Sequence, residues 1–195
     1  MKILGEVQQD DDVHRYCPHC WSQKIVSYSR DGKEYYRCGD CGYDGSRLIE
    51  IYPQLRFQIL EDKELLHYSV GCVIQWEQKF LLFRRRLFPF KYTLVAGHWD
   101  LSDPTPESAV AREVREEVGI EVSPQNPIFV ETLNEPCRRG ADYHKWHLYR
   151  VTVSENKVVM SEEADIVGWY SPSEISDLEL TIPTEHFFRK LELIT

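Results

Sequence analysis

The spacing of apolar positions changes along the chain, and each change marks an element. Tyr68–Trp76 (YSVGCVIQW) and Lys79–Arg84 (KFLLFR) are short, dense apolar runs with polar borders. They predict two strands, with Glu77-Gln78 as the turn between them. Tyr92–Ala96 (YTLVA) predicts another strand, ending at Gly97. After Pro104 the period becomes helical: Ala109, Val110, Val114 and Val118 fall on one side of a helix running from Pro106 to about Val118. Thr105 is suited to cap that helix, Pro106 to its first position, and Gly119 to its stop. Ile128–Asn134, His144–Val153 and Ile166–Tyr170 predict further strands. Ser171-Pro172 starts a short helix, and Pro183–Leu191 a last one with Phe187, Phe188 and Leu191 facing inward. The order implies a layered α/β domain over residues 65–195, an α/β/α sandwich with a mixed sheet.

The first 47 residues follow another logic. Ile25–Arg30 and Lys33–Arg37 predict a hairpin whose Asp31-Gly32 link suits a type I′ turn. Cys17-Pro-His-Cys20 lies before it and Cys38-Gly-Asp-Cys41 closes it. Soft thiolates in two such pairs select tetrahedral zinc, so Cys17, Cys20, Cys38 and Cys41 are expected to hold a structural zinc ion. So small a module cannot bury much core, and the metal would supply its folding energy. His14 and His19 are spare once four sulfurs fill the shell. Tyr16, Trp21, Tyr28, Tyr35, Tyr36 and Tyr43 could stack bases or pack against a neighbour, and the acidic balance favours packing. Residues 48–64, apolar with a break at Pro53, are expected to link this module to the larger domain. Cys72 sits in an apolar run and is expected in the core.

Charge and length narrow the functional classes. The chain has 195 residues and a formal net charge of -9, so nonspecific nucleic-acid binding is not expected. No stretch approaches the roughly eighteen apolar residues of a membrane span. The start, MKILGEVQQDDD, turns acidic too early for a signal peptide. Paired cysteines at metal-ligand spacing point to a reducing, cytoplasmic setting. A ribbon can extend an interface, which leaves a homodimer open.

The chemistry concentrates on the capped helix. Glu113, Glu116 and Glu117 stand at i, i+3 and i+4, which places three carboxylates on one helix face. Their mutual repulsion would be relieved by a divalent cation that takes oxygen ligands, Mg²⁺ or Mn²⁺.

Arg112–Ile120, REVREEVGI, matches the second half of the Nudix box Gx5Ex7REUxEExGU, in which U is apolar, at every fixed position. The chain therefore resembles the Nudix hydrolases. The first half departs from the pattern: the box glycine falls on His98 and the box glutamate on Pro104, with Gly97 just before. His98, Asp100 or Asp103, or an acid elsewhere in the chain, would have to replace the lost carboxylate in part. A zinc ribbon followed by a Nudix domain also resembles NADH pyrophosphatases, but their SQPWPFP-type motif is absent; the stretch here reads PIFVETLNEPCRRG.

The resemblance implies a Mg- or Mn-dependent hydrolase that cleaves the pyrophosphate bond of a nucleoside diphosphate linked to another moiety. Glu113, Glu116, Glu117 and the Gly97 carbonyl would hold the catalytic metal, and Arg112 would hold the carboxylates in place. The general base would be Glu116 or, in the late acidic loop, Glu162 or Glu163. At least one of the consecutive Arg84, Arg85 and Arg86 is expected to grip substrate phosphate, with Arg84 and Arg86 the favoured candidates. Trp146, His147 and Tyr149 are candidates for a base-stacking wall, with 147 and 149 on one strand face and 146 on the other. Loops 85–91, 134–143 and 154–165 would discriminate among substrates. Three alternatives stay open: a catalytically weak or inactive nucleotide-binding module, for which Pro104 speaks, a zinc-ribbon protein associated with RNA, and a redox protein that uses the paired cysteines as reversible disulfides.

Overall fold

The computed structural model describes residues 7–195. The first six residues, part of the segment expected to carry no signal peptide, lie outside the described residues. The chain divides into two compact units. One comprises residues up to His67 together with Asn134–His144; the other comprises Tyr68–Leu133 and Lys145–Thr195.

In the first unit, β1 (His14–Tyr16) pairs antiparallel with β5 (Ile49–Ile51), while β2 (Ile25–Arg30), β3 (Lys33–Cys38) and β4 (Asp44–Gly45) form a three-stranded antiparallel sheet. Asp31 and Gly32 link β2 to β3 with φ of 53° and 73°. Both lie in the left-handed region, as a type I′ turn requires. β6 (Phe57–Ile59) pairs with the first residues of β7 (Leu65–Trp76). The segment anticipated as a linker thus carries two strands. Tyr16, Ile49, Ile51, Leu55 and Leu65 form the core of this unit, with Trp21 packed against them. Tyr28 and Tyr35 instead stack on each other, 5.8 Å apart, with Arg30 4.0 Å over the Tyr35 ring. The aromatics therefore divide between packing and a solvent-facing stack. Residues 134–144 are tied in by Arg47, whose guanidinium donates to Gly140 O at 2.6 Å and Asp142 Oδ1 at 2.7 Å.

The second unit holds β8 (Lys79–Arg85), β9 (Tyr92–Thr93), β10 (Val95–His98), α1 (Pro106–Val118), β13 (Ala164–Tyr170), α2 (Pro172–Ser176) and α3 (Ile182–Lys190). It also holds most of β7, of β11 (Phe129–Asn134) and of β12 (Tyr143–Thr152). The sheet runs β11-β12-β7-β8-β13, with β10 on β7 and β9 on β8. The single strand expected at Tyr92–Ala96 is two, β9 and β10, because Leu94 leaves the pairing and the chain changes partner from β8 to β7.

Strand alternation sorts side chains into two layers. Val70, Cys72, Ile74, Leu81, Phe83, Val95 and Tyr149 pack with Ala109, Val110, Val114 and Val118 of α1. Val73, Phe80, Leu82, Leu94, Trp146 and Leu148 pack with Ile175, Leu180, Phe187 and Phe188 of the α2–α3 region. The result is the α/β/α sandwich read from the pattern, with Cys72 fully buried in its core. No helix among the described residues is long and apolar enough to cross a membrane.

Candidate active site

α1 is held at both ends. The Thr105 hydroxyl accepts from Ser108 N–H at 3.2 Å, and Ser108 Oγ accepts from Thr105 N–H at 3.1 Å. This reciprocal cap satisfies orphan donors of the first turn. Gly119 ends the helix at φ 71°, its N–H donating to Arg115 O. Burial of the valine side against the sheet fixes the rotation of α1, and with it the direction of the glutamates.

That rotation sends Glu117 inward. It is 9% exposed and accepts from Ala96 N–H at 3.1 Å. Glu113 lies against the backbone of Gly97. A Cβ on Gly97 would stand 2.0 Å from the Glu113 carboxyl, so the glutamate keeps this position only against a glycine. Glu116 is the outermost, its side chain 54% exposed.

Arg112 is the hub of the face. Nη1 donates to Glu113 Oε1 at 2.8 Å and to Glu116 Oε2 at 3.1 Å. Nε and Nη2 donate to the two carboxylate oxygens of Asp103 at 3.1 and 2.8 Å, and Nη2 also donates to His98 O at 3.0 Å. Asp100 is more distant, at 3.9 Å. Among the replacements considered for the lost carboxylate, Asp103 therefore holds the arginine by its side chain, while His98 contributes its carbonyl.

Burial dominates the electrostatics. It pushes the Glu113 carboxyl up to about 7, against the pull of Arg112. It raises Glu117 well above the ordinary carboxylate range, helped by the charges of Glu113 and Glu163 and opposed by Ala96 N–H and Arg85. Two partly desolvated carboxylates beside a glycine cradle form an all-oxygen donor set, which fits a hard divalent cation such as Mg²⁺ or Mn²⁺.

The other expected residues are dispersed. Along β8, Leu81 and Phe83 face α1 while Phe80 and Leu82 face the opposite layer. Arg85 continues the first row and Arg84 the second. Arg84 is committed to Asp165, with Nη2 to Oδ2 at 2.6 Å. Of the three consecutive arginines, Arg85 is thus the one on the side of the glutamates, rather than the favoured Arg84 and Arg86. The parity of the strand was the signal that could have found it. Arg86 donates to Ala164 O at 3.0 Å, and its N–H donates to Glu163 O at 2.8 Å. Of the late-loop acids, the charge of Glu163 is among the larger influences that raise Glu117. His147 shares the α1 face with Tyr149 and packs edge-on to Trp99, 5.4 Å between ring centres. Trp146 lies in the other layer, buried against Phe187.

The four N-terminal cysteines form a separate cluster. Cys17 and Cys41 Sγ are 3.6 Å apart, as are those of Cys20 and Cys38. All four sulfurs lie within 4.8 Å of one another. That separation is too long for a disulfide and close to the ~3.8 Å edge of a tetrahedron with Zn–S of about 2.3 Å. Burial opposes ionisation of Cys38, but the N–H groups of Cys41 and Asp40 overcome it and bring the thiol down to about 7. The donor set fits zinc.

Comparison with known proteins gives a consistent picture. The NUDIX domain family model matches residues 65–191. A curated relative, the NAD-capped RNA hydrolase NudC of Stutzerimonas stutzeri, is 29% identical over 111 residues. That match takes in 57% of this chain and 33% of the relative, so the chain spans about a third of the relative's length. Among solved structures, the MutT protein from Methanosarcina mazei Go1 is 26% identical with a TM-score of 0.57, covering 68% of this chain and 96% of that one. A NUDIX-family hydrolase from Clostridium perfringens shares the fold at 20% identity and a TM-score of 0.52, covering 64% and 94%. So does the NUDIX domain of Shewanella oneidensis NrtR, solved with ADP ribose, at 19% identity, a TM-score of 0.51 and coverage of 64% and 85%.

Proposed function

The chain belongs to the NUDIX family, and from that premise we propose that it is a Mg²⁺- or Mn²⁺-dependent hydrolase cleaving the pyrophosphate bond of a nucleoside diphosphate joined to another moiety. One observation carries the reading: Glu113, Glu116 and Glu117 face one side of α1, around Gly97, with Arg112 bonded to two of them. The bound metal would neutralise phosphate oxygens and lower the pKa of the attacking water.

The chain's own residues do the rest. Glu113, Glu116, Glu117 and the Gly97 carbonyl would hold the metal. Arg112, itself held by Asp103, fixes the angles of Glu113 and Glu116. Glu163, beside Glu117, takes the proton from water as general base, and Glu116 serves chiefly the metal. Arg85 and Arg86 meet the phosphates with planar donor forks. His147, against Trp99, borders the substrate. In the first unit, Cys17, Cys20, Cys38 and Cys41 would hold a structural zinc.

The test is a Mg²⁺-dependent hydrolysis screen over nucleoside diphosphate derivatives: ADP-ribose, dinucleotides, sugar nucleotides and dinucleoside polyphosphates. Turnover that disappears in Glu117→Gln supports the proposal. Nucleotide binding without turnover would leave a binding module instead. A nucleotide-capped RNA is a second substrate class, favoured by the stacked Tyr28–Tyr35 pair with Arg30 and Arg37 beside it. It belongs in the same screen.

A further inference from the structure

The loop between β8 and β9 exposes apolar surface where a soluble protein usually hides it. Leu87 is 52% exposed, Phe88 79% and Phe90 61%. The two rings touch each other edge to face, with centres 6.3 Å apart. Scattered apolar residues on a surface need no explanation, but three within four positions at one loop tip do.

The loop is built to hold that shape. Arg85 N–H donates to Lys91 O at 3.0 Å and closes its base. Phe90 N–H donates to Leu87 O at 3.0 Å and tightens its tip. The two bonds from Arg86 to Glu163 and Ala164 pin its first limb to the late loop. Phe90 has φ of 56°, a left-handed backbone that a bulky side chain rarely adopts. These bonds form the framework that presents the rings.

Position then suggests the occupant. Arg85, at the root, lies on the α1 face within electrostatic reach of Glu117. Three residues reach at most about 10 Å, so Phe88 stands no farther than that from Arg85 along the backbone. Arg85, Arg86 and Lys91 flank the rings with cations that complement a polyphosphate. A ligand anionic at one end and flat and apolar at the other matches this sequence of groups.

We propose that Phe88 and Phe90 form an aromatic subsite that stacks on the base of the nucleotide whose pyrophosphate lies at the α1 carboxylates. This rests on the hydrolase reading given above and adds what selects the substrate. Stacking of this kind is tolerant of base identity, because every base has a π-face. The subsite therefore distinguishes nucleotides from base-free phosphoanhydrides more than one base from another.

Equilibrium binding of ADP and of inorganic pyrophosphate to the full chain with Mg²⁺ tests the proposal. The native protein should prefer ADP, and Phe88→Ala and Phe90→Ala should each weaken ADP about ten- to a hundredfold while leaving pyrophosphate unchanged. Phe88→Tyr should restore ADP binding and Phe88→Leu should not. Both positions are exposed, so unchanged melting is expected and confirms that the variants fold. Pyrophosphate binding with no preference for ADP overturns the aromatic subsite and leaves the hydrolase reading standing. Absence of binding by either ligand overturns both. Loss of a dimer on sedimentation of the alanine variants, with ADP binding intact, assigns the rings to a second copy of the chain and overturns the proposal.

Discussion

Asp103 grips Arg112 with both carboxylate oxygens, at 3.1 and 2.8 Å, from the position just before Pro104. Arg112 in turn bonds Glu113 and Glu116. Position 104 carries no carboxylate, and the acid that engages Arg112 stands one residue earlier, buried at 6% exposure. Removing it leaves a desolvated guanidinium with part of its fork empty, the costly half of a broken buried pair. Asp103→Ala should lower stability by about 3 kcal/mol in urea unfolding. It should also cut kcat/KM about ten- to a hundredfold through looser metal ligands.

Pro104→Glu should do little while Asp103 is present, since Arg112 is already engaged. In an Asp103→Ala background the same change should recover part of the lost activity. Steady-state kinetics of the two single variants and the double variant decide the matter. Equal losses with and without Glu at 104 would show that Asp103 acts by some other route.

Gly97→Ala is expected to be severe. The added Cβ would collide with the Glu113 carboxyl at 2.0 Å, and the side chain would have to turn away from the cradle. A displacement of about an ångström at a reacting centre costs about a hundredfold in rate. Kinetics should show that loss, with circular dichroism unchanged from the native protein.

Zinc analysis by mass spectrometry should find one ion per chain, lost in Cys20→Ser. Chelation should unfold the first unit, whose core rests on few residues, Tyr16, Ile49, Ile51, Leu55 and Leu65 among them. Hydrogen exchange reports each unit separately. Retained protection in the hairpin after complete metal removal would contradict the structural role.

Acid should weaken the first unit through His144. Burial lowers its imidazole from about 6.5 to about 4, and its Nδ1–H donates to Glu135 O at 2.9 Å in the neutral form. Between those values the unfolded chain binds a proton that the folded chain refuses. Stability is therefore complete above about pH 6.5 and falls as pH drops towards 4, by roughly 3 kcal/mol in all. Urea midpoints across that range check the slope, and His144→Gln should flatten it.

Legibility in the sequence followed the locality of the cause. α1 could be read because cap, proline, apolar spacing and terminal glycine lie within one short segment. The β2–β3 hairpin could be read because Asp31-Gly32 carries its own backbone preference. The division of 92–98 into β9 and β10 was hidden, since it depends on a change of partner strand. β5 and β6 were hidden as well, being three residues each with polar positions inside. Asp103 was one of three candidates until the loop folded over Arg112. Arg85 was concealed among three consecutive arginines until the burial of Leu81 and Phe83 fixed which of them faces α1.

The proposed activity requires the α1 glutamates to gather a divalent metal about a pyrophosphate. Mn²⁺ paramagnetic resonance on the full chain, titrated with the native protein and with Glu113→Gln and Glu117→Gln, tests it most directly when paired with ADP-ribose hydrolysis at each Mn²⁺ concentration. Saturable Mn²⁺ binding should track hydrolysis, with both weakened about a hundredfold or more in the variants. Mn²⁺ binding and turnover that survive both substitutions would contradict it.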